Sequence, residues 1–406
     1  MRSTHKKIIR HLQNLTKSEC RANKNFLMNH FFHHNKTSGA GRTMTTSFSS
    51  SQVSEIKDVP PPPSPEKPFQ KKLRQFSGLL ESNVVNLDKI REISWAGIPD
   101  QFRPSIWRLF LDYEPVNSSL RKQTLEHKRS DYFDCLSRVF GESQRHLWTS
   151  AQKQTQTQIL RDLPRTHITL LRSKRVQDLF ERVLFVWAVR HPASGYVQGM
   201  NDLLQPFFFV FLSQFANVEN INDLSELTNI DFISDDQLKE IEADSFWCFS
   251  KLLDGLQDLY TKDQPGLYKM LNTLQQVIQQ VDPQLSQWIS SEEIEYQEFA
   301  FRWMNCLLVR EFPMPLVLRL WDSYLSNHTK IASSHVYVCA AMMTALSDRI
   351  KGVPHAEFVM KVQQIEPNEW KMEDMDMIIA QAFVYENKFA QTPARFKSPS
   401  LPSLPR

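Results

Sequence analysis

Arg165 and Gln198 are the two side chains in this sequence that are best suited to chemistry on a phosphate. Arg165 lies in the segment ILRDLPRTH, three residues after Asp162, and Gln198 lies in GYVQGMND between two glycines. A guanidinium can neutralise the charge that develops on a transferred phosphoryl group, and a carboxamide can orient an attacking water. We therefore take GTP hydrolysis as the working hypothesis for this pair.

Each residue also has a purely structural interpretation. Arg165 is spaced to form an ion pair with Asp162, and such pairs are common without any catalytic role. Gln198 would equally satisfy the end of a helix, because the apolar run from Leu203 to Leu212 predicts a core helix directly after it. Neither residue is decisive by itself.

The sequence lacks the motifs of the common nucleotide-binding and hydrolytic sites. It contains no GxxxxGK[ST], GxSxG or HExxH motif and no kinase HRD and DFG set. Arg165 and Gln198 would therefore act in trans, on a nucleotide that a partner carries together with its Mg²⁺. We expect no cofactor or metal bound by the chain itself, and no nucleic-acid partner.

Composition predicts an all-α fold. The 406 residues include only 10 Gly, against 41% hydrophobic and 11% aromatic residues, a balance that suits long packed helices. Apolar residues recur at helical spacing, and no alternating stretch is long enough for a sheet. The five cysteines are odd in number and form no CxxC pair, which favours a reduced, cytoplasmic protein without structural zinc.

The sequence divides into three parts. Residues 1–84 are predicted to be a disordered arm, because the first 80 carry 14 Lys and Arg against 4 Asp and Glu and include a run of four prolines. Residues 85–390 are predicted to form the domain, interrupted by an acidic surface insertion at 216–243. Residues 391–406 are predicted to return to disorder.

The basic arm carries the weaker regulatory signals. Ser77 has an arginine three residues upstream, as basophilic kinases and phosphoserine-binding adaptors favour, and at the other end of the chain Ser398 precedes a proline. No stretch approaches the ~20 apolar residues that cross a bilayer. We therefore expect at most peripheral membrane contact, together with an adaptor bound through the arm.

Four blocks, in order along the chain, resemble the TBC-domain family of Rab GTPase-activating proteins. GIPDQFRPSIW resembles the family's opening motif, and ILRDLPRTH matches its I-x-x-D-x-x-R pattern. GYVQGMND matches its Y-x-Q-G-M pattern, and FAFRWMNCLLVREFPMPLVLRLWDSYL looks like its C-terminal signature. The run FERVLFVWAVRHPASGYVQGMND looks closest to the member-22 subgroup of the family.

The resemblance implies a V-shaped, two-lobed helical domain that accelerates GTP hydrolysis by a GTP-bound Rab and thereby regulates vesicle trafficking. Arg165 would be an arginine finger, and Gln198 would be a glutamine finger that replaces the Rab's own glutamine. The subgroup implies work at Golgi or secretory membranes.

The resemblance also suggests roles for residues around the two fingers. Asp162 would hold the guanidinium of Arg165 in a bidentate pair, and Gly199 would let the backbone approach the Rab. The other residues expected to support the fingers are Pro164, Thr166, Tyr196, Met200 and Asn201, and those expected to contact the partner are Arg103, Trp107 and Arg310.

A non-catalytic alternative stays open. The same helical surface would serve as a scaffold that binds Rabs or adaptors without accelerating hydrolysis. The presence of both finger residues favours catalysis over this alternative. A helical-repeat adaptor is disfavoured, because the sequence shows no internal period of about 30 to 47 residues.

Overall fold

The computed structural model describes residues 68–166, 168–216, 224, 227–261, 263–363 and 370–390. Throughout these ranges the regular structure is helical, apart from an isolated bridge between Val84 and Asn117. The prediction of an all-α fold is confirmed. Predictions for residues 1–67 and 391–406, with the phosphosite at Ser398, lie outside the described residues. None of the described helices combines the length and the apolar character needed to cross a membrane.

The helices are numbered here in chain order. They are α1 (Pro68–Leu80), α2 (Leu87–Ser94), α3 (Arg103–Phe110), α4 (Ser118–Phe140), α5 (Glu142–Arg145), α6 (Ser150–Asp162), α7 (Lys174–Arg190), α8 (Met200–Leu212), α9 (Asp235–Asp254), α10 (Gln257–Tyr260), α11 (Pro265–Val281), α12 (Pro283–Ser291), α13 (Tyr296–Cys306), α14 (Met314–Leu325), α15 (Ile331–Ile350), α16 (His355–Gln363) and α17 (Met372–Ala390). Single 3₁₀ turns lie at Asp100–Phe102, Leu163–Arg165, Thr169–Arg172 and His328–Lys330.

Helix α8 runs through the hydrophobic core. Every residue from Met200 to Leu212 is buried, as expected of a helix that is apolar on nearly all sides. It packs against α3, α7, α9, α13 and α14. Two of the polar side chains that it buries pair with each other, since Gln205 Nε2 donates to Asp202 Oδ1 at 2.9 Å. The loop that carries Gln198 therefore leads directly into a rigid part of the domain.

The ordered domain begins earlier than predicted. In helix α1, Phe76 is fully buried and its ring stacks on that of Phe102 with centroids 6.0 Å apart. Lys72 Nζ donates to the main-chain oxygen of Ala96 at 3.0 Å, and burial lowers the pKa of Lys72 to about 8. The prediction of disorder is wrong for residues 72–84, because these contacts make the segment part of the domain.

Ser77 lies in α1 rather than in a disordered arm. Its side chain is partly buried, and its hydroxyl donates to the carboxylate of Glu81 one turn later at 2.5 Å. A phosphoryl group on Ser77 would face that carboxylate and repel it. Phosphorylation of Ser77 stays a prediction.

The buried carboxylate of Asp322 joins α3 and the segment just before it to α14. Its oxygens accept the backbone N–H of Ile98 at 2.8 Å, Arg103 Nε at 3.0 Å and Trp107 Nε1 at 2.8 Å. Trp107 is fully buried and Arg103 is only 6% exposed. The prediction that Arg103 and Trp107 contact a partner is therefore wrong, because both side chains are used inside the domain.

Residues 217–223, 225 and 226 of the acidic segment at 216–243 lie outside the described residues, and the described part is not all at the surface. Its C-terminal part enters α9, where Glu242 is 1% exposed. The Glu242 carboxylate accepts hydrogen bonds from the Tyr132 hydroxyl at 2.7 Å and from Arg182 Nε at 2.8 Å. The surface assignment is wrong for this part, because the carboxylate pairs with polar groups that α4 and α7 bury beside it.

Replacing Asp322 by alanine should destabilise the domain strongly. The change leaves the buried Arg103 guanidinium without its main partner, and we expect the free energy of unfolding to fall by about 3 to 5 kcal/mol. Urea unfolding followed by circular dichroism measures this loss. Asp348→Ala, at a side chain that is 95% exposed, is the control and should change stability by less than about 0.5 kcal/mol. Equal losses of stability in the two variants would contradict the structural role assigned to Asp322.

A second stability prediction concerns His335, which lies in α15 and is completely buried. The Tyr324 hydroxyl donates to Nδ1 at 2.7 Å, and Nε2 donates to the main-chain oxygen of Trp303 at 3.0 Å, so the neutral ring satisfies both contacts. Burial lowers the pKa of His335 from 6.5 to about 4. Between these values the unfolded state binds a proton that the folded state does not, so stability falls as the pH falls through this window, by about 3 kcal/mol in total.

His335→Gln removes this titration. The variant should therefore lose about 3 kcal/mol less than the parent protein when the pH is lowered from neutral to about 4, as measured by urea unfolding at each pH. His127→Gln, at a side chain that is 74% exposed, should follow the parent curve. A His335→Gln curve parallel to the parent curve would show that folding does not lower the pKa of His335.

Candidate functional site

A helix end and a tight turn place Arg165 at the surface. Helix α6 begins at a capping box and ends at Asp162. The 3₁₀ turn Leu163–Arg165 follows, with Pro164 as its second residue, and the fixed φ of proline stiffens the backbone just before the arginine. The Arg165 side chain is 70% exposed, so its guanidinium is accessible to an anionic partner.

Gln198 lies in the loop between α7 and α8. The loop turns through Gly195 at φ +62° and Gly199 at φ +103°, conformations that favour glycine. Tyr196 and Met200 are buried, and the Met200 sulfur accepts a backbone N–H of the loop at 3.4 Å. Gln198 itself is exposed, so the loop is anchored on both sides of a side chain that points outward.

A buried hydrogen-bond network joins the two loops. The Tyr196 hydroxyl donates to Asp162 Oδ2 at 3.0 Å, with Asn201 Oδ1 as a second acceptor at 3.1 Å. Asn201 Nδ2 donates to Thr166 Oγ1 at 2.8 Å, and that hydroxyl donates to the main-chain oxygen of Asp162 at 3.2 Å. Burial and the neighbouring carboxylate raise the pKa of Tyr196, which keeps the phenol protonated as a donor. We call these four residues the loop network; it holds the two loops together.

Asp162 lies at ion-pair distance from Arg165, as the spacing indicated, but it does not form the predicted bidentate hydrogen bonds. Its Oδ1 lies 3.8 Å from Arg165 Nη1, beyond hydrogen-bond distance, while its Oδ2 accepts from Tyr196. The prediction of a bidentate pair is therefore wrong, because the carboxylate is committed to the loop network. Its role is to place the backbone of the arginine loop, and the planar fork of Arg165 stays available to another anion.

Packing inside the domain requires a glycine at position 199. A Cβ atom at this position would collide with the amide nitrogen of Asn305, and it would also be 3.2 Å from Cys306 Sγ. Gly199 is buried. The close approach seen at this position is made by α13 of the same chain; that Gly199 also lets the backbone approach the Rab stays a prediction.

Two polar residues of the site were not identified from the sequence. Asn305 Nδ2 donates to the main-chain oxygen of Gln198 at 2.7 Å. Asp202 lies near the start of α8, 3.6 Å from Cys306 Sγ; burial raises its pKa to about 6, and the charge of Arg310 opposes the shift. The available signal was polarity, since both residues interrupt apolar helical runs. Arg310 is half-buried, and its predicted contact with a partner stays a prediction.

Comparisons with known proteins agree with this fold. The Rab-GTPase-TBC domain matches residues 100–351. TBC1 domain family member 22B of Homo sapiens is 41% identical over 332 residues, which cover 80% of this chain and 63% of that protein. The GTPase-activating protein gyp1 of Schizosaccharomyces pombe is 35% identical over 333 residues, again covering 80% of this chain and 63% of that protein.

A solved structure is similar over the same region. The crystal structure of the Ypt/Rab-GAP domain of Gyp1p superimposes with a TM-score of 0.75 at 37% sequence identity, covering 80% of this chain and 100% of that one. The chain spans 63% of the length of the two curated relatives described above. With its helical fold, its two joined loops and the match over residues 100–351, the chain belongs to the Rab-GTPase-TBC domain family.

Proposed function

We propose that this chain is a GTPase-activating protein for Rab-family small GTPases. The observation that carries the proposal is the exposure of Arg165 and Gln198 on two loops that one buried network holds together. Membership of the family and the name of the gyp1 relative support the same activity. The Rab carries GTP and Mg²⁺, and this chain supplies two side chains in trans.

Arg165 acts as the arginine finger. Phosphoryl transfer spreads negative charge over the γ-phosphate oxygens, and a guanidinium placed there stabilises the transition state in a water-poor interface where its charge is weakly screened. The planar fork of arginine can form two parallel hydrogen bonds to phosphate oxygens. Asp162 supports this use, because it lies 3.8 Å away and leaves that fork accessible.

Gln198 acts as the glutamine finger. A carboxamide carries both an acceptor and two donors, so its oxygen can accept a hydrogen bond from the attacking water while its NH2 group donates one to a γ-phosphate oxygen. It thereby replaces the glutamine of the Rab. The loop suits this role because Gly199 N donates to Asn201 Oδ1 at 3.2 Å, which ties the backbone beside Gln198 to the loop network.

Acceleration of GTP hydrolysis returns a Rab to its GDP-bound form, so the proposed activity acts in vesicle trafficking. The similarity to TBC1 domain family member 22B supports placing this activity within the member-22 subgroup. We extend the proposal, through the resemblance to that subgroup, to peripheral association with Golgi or secretory membranes.

Replacing Arg165 should abolish most of the activity. An arginine finger contributes about 10³ to 10⁵ in rate, so Arg165→Ala should lower kcat/KM at least ~10³-fold. Arg165→Lys keeps the charge but loses the planar fork, and we expect it to be nearly as damaging. Phosphate release from a panel of GTP-loaded Rabs, with the full chain as activator, measures both variants.

Arg161→Ala is the matched control for Arg165, because it removes an exposed arginine one turn earlier on α6. It should leave hydrolysis nearly unchanged. Parent-like rates with either Arg165 variant would overturn the finger assignment. A Rab that binds the chain in its GTP form but hydrolyses no faster would instead support the scaffold alternative.

Gln198→Ala should lower kcat about 10²-fold, the loss expected when one group that orients or stabilises the reacting atoms is removed. The exposed Gln154 of α6 provides the control, and Gln154→Ala should have no effect. A Rab whose own glutamine is replaced by alanine should still respond to the parent protein, because Gln198 takes over its role. Loss of the response with that Rab would contradict the replacement mechanism.

A further inference from the structure

The loop that carries Gln198 rests on the C-terminal end of α13. Asn305, the penultimate residue of that helix, is 6% exposed and donates its side-chain amide to the main-chain oxygen of Gln198 at 2.7 Å. The two residues are 107 positions apart in the sequence. Their contact joins the Y-x-Q-G-M block physically to the C-terminal block RWMNCLLVREF.

The peptide bond between Gln198 and Gly199 is held at both of its polar groups. Its carbonyl oxygen accepts from Asn305 Nδ2 at 2.7 Å, and its N–H donates to Asn201 Oδ1 at 3.2 Å. A peptide unit that precedes a glycine can rotate easily, because glycine tolerates both signs of φ. Two hydrogen bonds on opposite edges therefore select one orientation, and with it the direction in which the Gln198 side chain leaves the backbone.

The backbone of Asn305 is held in place by its surroundings. The Tyr260 hydroxyl donates to the main-chain oxygen of Asn305 at 2.7 Å. After the helix, Leu307 and Leu308 both adopt left-handed conformations, at φ +46° and +62°, although both are fully buried. Non-glycine residues in this region are strained and persist only where the surrounding structure imposes them. The turn that follows Asn305 is thus a specific feature of the fold.

We propose that Asn305 is a positioning residue for catalysis, which acts on the reaction only through Gln198. It fixes the peptide plane beside the glutamine finger. Asn201, a member of the loop network, binds the N–H of the same peptide. The inference rests on the proposed function, since it assumes that the Gln198 carboxamide takes part in hydrolysis. It adds a residue from the C-terminal half of the domain to the set that determines the rate.

Asn305→Ala should lower kcat about 10- to 100-fold, because a misplacement of a reacting group by about 1 Å has an effect of this order. KM for the GTP-loaded Rab should stay within about twofold, since Asn305 is buried and does not touch the partner. Asn305→Asp, which keeps the shape but replaces the donor with an acceptor, should be at least as damaging. It also provides a second variant if the alanine form folds poorly, with circular dichroism as the check on folding.

Asn387→Ala is the matched control. Asn387 also donates its amide to a main-chain oxygen, that of Phe383 at 2.8 Å, but on an exposed position of α17. Its replacement should leave kcat and KM unchanged. A folded Asn305 variant with the parent kcat would overturn the proposal.

A double-mutant cycle separates positioning from general structural damage. If Asn305 acts only through Gln198, Asn305→Ala should cause no further loss of kcat in a Gln198→Ala background. Losses that multiply would show that Asn305 acts independently of the glutamine and would overturn the inference. If Gln198→Ala alone has no effect, the glutamine finger itself fails; if only Asn305→Ala has none, the proposed function stands and this inference does not.

Discussion

The carboxylate of Asp162 is the group on which both exposed loops depend. Its side chain accepts the Tyr196 hydroxyl and its main-chain oxygen accepts the Thr166 hydroxyl, so the end of α6 and the loop before α8 share one buried network. A buried carboxylate is stable only when its hydrogen bonds are made. The network therefore behaves as a unit, and it supplies the rigidity that Arg165 and Gln198, being exposed, cannot obtain from packing of their own.

Buried carboxylates with hydrogen-bonded partners also join helices elsewhere in the domain. Asp322 joins α14 to α3 and the segment before it. Asp244 of α9 accepts hydrogen bonds from the Tyr113 hydroxyl at 2.7 Å and from Arg129 of α4 at 2.8 Å. Buried ion pairs add little net stability compared with apolar contacts, but an unpaired member is strongly unfavourable. We infer that these pairs fix which helices lie together, around a central α8 that is buried along its whole length.

The buried hydrogen bonds that hold the backbone beneath the exposed Arg165 and Gln198 suit the proposed reaction. Groups that already have the correct orientation need no reorganisation when charge develops, and they act most strongly after a partner has excluded water from the interface. Under the proposed function, the chain would contribute orientation, and the partner would contribute the nucleotide and a water-poor interface. Asn305 adds a contact from α13, because it holds the peptide beside Gln198.

The sequence alone determined the helical fold class, the buried central helix and the identity of the two exposed side chains, because periodicity and short motifs are local. It could not show which polar groups pair. Arg103 and Trp107 looked like contact residues until Asp322, more than 200 positions away, proved to be their partner. The tertiary structure likewise decided that Gly199 makes room for Asn305 and that Phe76 belongs to the core. Such pairings depend on distances between segments that are remote along the chain, and only the packed domain sets those distances.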